Sequence, residues 1–68
     1  MTVARVTEII SSSNESFEDA VRHGVRRASQ TLKNVRGAWV EGHKVICDGH
    51  GHITEFRVIL KVTFVLED

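Results

Sequence analysis

The segment Ile53-Thr54-Glu55-Phe56-Arg57-Val58-Ile59-Leu60-Lys61-Val62-Thr63-Phe64-Val65-Leu66 decides the fold. Phe56, Val58, Leu60, Val62, Phe64 and Leu66 share one parity, the two-residue period of a strand with a buried face. The opposite parity, Ile53, Glu55, Arg57, Ile59, Lys61, Thr63 and Val65, is only half polar. The solvent face of a monomer rarely carries so many β-branched apolar residues, so both faces of this strand read as covered. Such a strand belongs in the middle of a sheet.

Working outward, Asp48-Gly49-His50-Gly51 precedes it as a turn, with an Asp-Gly pair to supply positive φ. Ala38 to Cys47 forms the other arm of the hairpin, and Gly42 within it marks a bulge. Further upstream, Phe17, Ala20, Val21, Val25, Ala28, Leu32 and Val35 recur at spacings of three and four, which predicts a helix that ends over Asn34 to Gly37. Ser16 to Asp19 resembles a capping box in which the Ser16 hydroxyl accepts from the amide of Asp19. Gly24 lies on the apolar stripe, where a missing side chain lets the helix approach a sheet closely. That closeness must offset about 1 kcal/mol of lost helix propensity. Glu18 with Arg22 and Asp19 with His23 are spaced as helical ion pairs. Val3 to Ile10, rich in β-branched residues, predicts a first strand, and Ser11 to Asn14 the break after it. The reading is α+β: a β-α-β-β chain whose three-stranded antiparallel sheet has the long C-terminal strand at its centre and one helix packed on one face.

Sixty-eight residues form a single domain, residues 1–68, too small to bury a large core of its own. The one cysteine, Cys47, excludes an internal disulfide and points to a reducing compartment. A net charge of zero argues against a nucleic-acid binder and favours association between copies. No apolar run approaches the roughly 18 residues of a membrane span. Self-association or a ligand is the support that remains.

Glu8 to Ser13, Ser16-Phe17-Glu18-Asp19-Ala20-Val21, Arg27-Ala28-Ser29-Gln30-Thr31-Leu32-Lys33-Asn34-Val35-Arg36 and Glu55 to Leu66, in this order and over nearly the whole chain, resemble the dodecins. These are small flavin-binding proteins whose β-α-β-β subunits form hollow dodecamers. The resemblance implies flavin stacked on tryptophan at subunit interfaces, with a last-strand glutamine at the ring edge. The family tryptophan stands three residues after the position of Asn34, which is Gly37 here, and Trp39 follows two residues later. The glutamine position is Arg57.

The resemblance therefore implies a cytoplasmic homododecamer that stores, sequesters and photoprotects a flavin (FMN, riboflavin or FAD), with Trp39 as the stacking ring and Arg57 as the polar contact. The alternative is a structural or ion-binding oligomer of the same fold that has lost flavin. Read without the family, Trp39 is an interface aromatic and Arg57 a salt-bridge partner of Glu55 or Glu41 on an exposed strand face. His43, Cys47, His50 and His52 match no standard zinc spacing and read as solvated turn residues. Arg22, Arg26, Arg27 and Lys33 read as a solvated helix face, the alternative being the phosphate tail of a flavin nucleotide or of coenzyme A. No spacing assembles a catalytic constellation, and the chain reads as a binding protein, not an enzyme.

Overall fold

A computed structural model describes residues 1–67. Four elements follow in the order β1 (Ala4–Ser13), α1 (Phe17–Ser29), β2 (Val35–Cys47) and β3 (Ile53–Val65). The sheet order is β1-β3-β2, with β3 central and antiparallel to both neighbours. The fold class and the central place of the last strand agree with the sequence pattern.

Helix α1 lies across one face of the sheet. There Val58, Leu60 and Val62 are fully buried, together with Ala20 and Ala28 of the helix, and Ile9, Phe17, Val21, Val25, Leu32 and Val35 pack around them. Gly24 sits where helix and sheet come closest. A Cβ on Gly24 would stand 2.8 Å from Leu60 Cδ1 and 2.9 Å from Ser11 Cβ, so the glycine permits the contact that buries Leu60. Ser11 is buried there too, and its hydroxyl has no hydrogen-bond partner among the described residues.

The helix begins as its sequence requires. Ser16 is the N-cap, and its Oγ accepts from the Asp19 amide at 2.9 Å. Of the two expected ion pairs, Glu18 with Arg22 forms. Asp19 instead accepts a 2.7 Å hydrogen bond from the Ser13 hydroxyl, and Ser13 Oγ in turn accepts from the Glu15 amide at 2.9 Å. This clasp ties the end of β1 to the start of α1.

Four boundaries differ from the sequence reading. The helix stops at Ser29, not near Val35, and Leu32 N donates to Ala28 O at 2.9 Å in the turn that follows. Asn34 then adopts a left-handed φ of 61°, and its Nδ2 donates to Glu67 Oε1 at 2.9 Å. That reversal starts β2 at Val35, three residues early, with Val35 opposite Phe64. Leu32 and Val35 extend the helical spacing because both still face the core, one from a turn and one from a strand. β1 runs on to Ser13 because Ser11, Ser12 and Ser13 pair with Val58, Arg57 and Phe56. β3 ends at Val65, one residue short, and Leu66 is exposed.

The subunit is elongated, 52 × 19 × 14 Å, with a radius of gyration of 14.0 Å. A compact chain of this length has about 11 Å. Its accessible surface is 5151 Å², against about 4,300 Å² expected for a monomer of its mass. Both excesses reflect a hairpin whose 13-residue strands outrun the 13-residue helix, together with a sheet face left bare.

Replacing Gly24 with Ala inserts a methyl into this close contact and destabilises the fold by about 1–3 kcal/mol. Gly37→Ala, where a Cβ meets nothing within 4 Å, changes stability little. Urea unfolding of the two variants checks the contrast. Equal midpoints would mean the helix can shift away without loss.

Candidate functional site

Residues directly opposite in neighbouring strands share a face, so the register fixes the composition of the bare one. Its rows run Val6–Thr63–Gly37, Glu8–Lys61–Trp39, Ile10–Ile59–Gly42 and Ser12–Arg57–Lys44. Ile10 is 68% exposed and Trp39 62%, with Val6 and Ile59 also exposed beside them. An indole and three β-branched residues turned to solvent on one sheet face form a patch that requires a partner.

Trp39 is placed by two irregularities in β2. The pairing shifts between Val35 and Gly37 and again between Val40 and Gly42, leaving Arg36 and Glu41 as extra residues. The expected bulge at Gly42 is therefore present, and it sends the Glu41 carboxylate to Lys61 Nζ at 3.3 Å. Gly37 and Trp39 lie on the same face, one two-residue step apart. That step displaces the indole by about 6–7 Å along the strand.

Arg57 belongs to the same face but stands four residues along β3 from Lys61, the partner of Trp39. At the strand rise, that places it about 13 Å from the Trp39 row. Its Nε and Nη2 donate to the two Glu55 oxygens at 3.3 and 3.4 Å. The Arg57 guanidinium holds the Glu55 carboxyl below its ordinary range, desolvation opposing it. Of the two salt-bridge partners expected for Arg57, Glu55 is thus the one it meets, while Glu41 goes to Lys61. Between β1 and β2, Ile10, Gly42, His43, Lys44, Arg57 and Ile59 line an open hollow of about 430 Å³. No sequence motif marks Lys44. It stands directly opposite Arg57 across the strand pair.

The other sequence-derived candidates separate. Among the described residues no three His, Cys, Asp or Glu side chains converge as a metal site, so the histidines and Cys47 are not brought together. His43 packs edge-on to Phe17, with ring centroids 4.8 Å apart, at the end of the core. At the hairpin tip Asp48 organises the loop: Oδ1 accepts from the amides of His50 and His52 at 2.7 and 3.2 Å, and Oδ2 lies 3.0 Å from His52 Nδ1. Gly49 and Gly51, at φ near +90°, allow the chain to wrap the carboxylate this way. On the helix, Arg22 is paired with Glu18 and Arg27 borders a second hollow, about 580 Å³, between α1 and β1. No helix is long and apolar enough to cross a membrane among the described residues.

The subunit thus has a one-sided core, a bare apolar sheet face and a shallow hollow carrying two cations. Residues 3–67 match the model of the dodecin family. Calcium dodecin of Mycobacterium tuberculosis is 36% identical over 64 residues, covering 94% of this chain and 89% of that protein. The dodecin of Streptomyces davaonensis superposes with a TM-score of 0.92 at 36% identity, over 98% of this chain and 97% of that one. The crystal structure of the Mycobacterium tuberculosis calcium dodecin gives 0.82 at 32% identity, over 96% and 91%. The chain belongs to the dodecin family, whose members are non-enzymatic binding proteins that form dodecamers and bind flavins or calcium.

The amide hydrogen bonds from His50 and His52, the former contributing most, keep the Asp48 carboxyl below its usual value, with desolvation partly opposing them. A depressed folded value means that this contribution to hairpin order is complete above the ordinary Asp range and is lost as pH falls through the folded value. The amide proton shifts of His50 and His52 should titrate together with a midpoint below the ordinary Asp range. A midpoint at or above it contradicts the loop as described.

Proposed function

We propose that this dodecin assembles as a homododecamer in the cytoplasm and holds flavin (FMN, riboflavin or FAD) at subunit interfaces. The role is storage, sequestration and photoprotection. The isoalloxazine stacks on Trp39, and Arg57 supplies the polar contact. The reading rests above all on one observation: the only tryptophan is 62% exposed on the sheet face that the helix leaves bare. A solvent-facing indole flanked by β-branched residues is a ready platform for a flat aromatic ring. Offset stacking adds about 0.5–1.5 kcal/mol to burial. A stacked indole also quenches flavin emission by donating an electron to the excited ring, so protection follows from binding itself. Since Trp39 and Arg57 stand about 13 Å apart along the strands, one flavin meets both through its length or by taking them from different copies.

A second reading has a specific observation in its favour. A relative with 36% identity over 94% of this chain is named calcium dodecin, and Gly37 and Arg57 occupy the places where the flavin-binding pattern has tryptophan and glutamine. On this reading the same assembly binds ions and has lost flavin. Coenzyme A, by way of a phosphate contact with helix cations such as Arg27, is a lesser candidate ligand.

Riboflavin titrated with micromolar protein should lose fluorescence, and Trp39→Ala should restore it while leaving the native mass of the protein unchanged. Unchanged emission with the wild-type protein, accompanied by calorimetric heat on adding calcium, would establish the ion-binding reading in place of the flavin one.

A further inference from the structure

Asp48-Gly49, at the tip of the hairpin, is the one Asp-Gly pair in the chain. An aspartate followed by glycine is open to intramolecular imide formation, because no side chain on the second residue hinders its amide nitrogen. Residues 47–54 are all exposed, and a Cβ on Gly49 would meet nothing within 4 Å. Packing within the subunit therefore gives the bond no protection. What surrounds the carboxylate is a set of donors. Oδ1 accepts from the His50 amide at 2.7 Å and from the His52 amide at 3.2 Å, and Oδ2 lies 3.0 Å from His52 Nδ1. The Asp48 amide in turn donates to the His52 carbonyl at 3.1 Å, which pins the backbone of the same residue.

We propose that Asp48-Gly49 is an isomerisation site held in its aspartyl form by the hydrogen bonds of this loop. In the reaction the Gly49 nitrogen attacks Asp48 Cγ. A Cγ–N bond forms, and one carboxyl oxygen leaves as water with the Gly49 amide proton and the proton of the neutral carboxyl. Water then opens the five-membered imide. Breaking the new Cγ–N bond restores aspartate. Breaking the bond between the Asp48 carbonyl carbon and the Gly49 nitrogen leaves an isoaspartyl link, with the main chain running through Cγ. Nothing is oxidised or reduced, and water is the only co-reactant. The loop opposes the first step in two ways. Turning the carboxyl onto the Gly49 nitrogen withdraws Oδ1 and Oδ2 from His50 and His52. The same donors, the His50 amide first, favour the carboxylate, the form from which an oxygen does not leave as water. An isoaspartyl link adds one main-chain carbon between Cys47 and Ile53, the last pair of the hairpin. It also moves the free carboxylate to the former main-chain carbon, away from the amides that it organises.

The full chain is aged at physiological temperature and neutral pH, native and in guanidinium chloride, with native mass recorded for each variant. Peptide mapping with electron-transfer fragmentation then measures isoaspartate at residue 48. The native protein should isomerise at least about tenfold more slowly than the unfolded one, the factor that a hydrogen bond to a charged acceptor contributes. Gly51→Ala disfavours the φ of 91° that brings the His52 amide round to Asp48, and should raise the native rate by about tenfold. His52→Ala removes only the ring contact and should raise it by less, up to about fivefold. Equal rates in the native and unfolded wild-type protein would overturn the proposal. So would native variants of unchanged mass that both isomerise as slowly as the wild type, since the protection would then come from something other than the loop.

Discussion

One helix can cover only one face of a three-stranded sheet, and the rest of this structure depends on that constraint. Val58, Leu60 and Val62 are fully buried because α1 reaches the sheet closely at Gly24. Ile59, Lys61 and Arg57, between or beside them in the same strand, are turned the other way and meet no second layer. A core of three large side chains and two alanines is small even for 68 residues. Chains near this size usually need a staple, and a single cysteine rules out an internal disulfide. The bare face is the surface through which copies can share their burial.

The same constraint bears on the proposed binding site, which lies on a sheet without a cleft. The bulges in β2 leave Trp39 between two shifts in register and set Gly42 beside Ile59. A flat aromatic platform, an opening floored by isoleucine and a pair of cations therefore follow one another along a single face. None of these forms an enclosed pocket in one subunit. In a dodecin, where other copies supply the missing walls, a shallow face is sufficient.

Much of this was legible in the residues. The parity of Phe56 to Phe64 fixed the central strand, Asp48-Gly49 the hairpin, and Ser16 with Asp19 the start of the helix, because each depends on neighbours in the chain. The helix end is not legible in the spacing because Leu32 and Val35 keep facing the core after the helix has stopped at Ser29. The serines of β1 have low strand propensity, but pairing with Arg57 and Phe56 outweighs it. The face of Trp39 could be read from its spacing to Gly37. The opposition of Lys44 and Arg57 could not. Counting back from the Cys47–Ile53 pair without interruption sets Lys44 against Phe56, and only the shift between Ile46 and Cys47 moves it to Arg57. A one-residue bulge changes which side chains meet, and propensity does not reveal it.

The central claim is that the bare sheet face is covered by other copies of the chain, and native mass tests it most directly. Twelve subunits of 7.6 kDa give about 91 kDa, and the account predicts a species of that mass at micromolar concentration, broken down by Ile59→Asp. A mass near 7.6 kDa, with the fold intact, would contradict it.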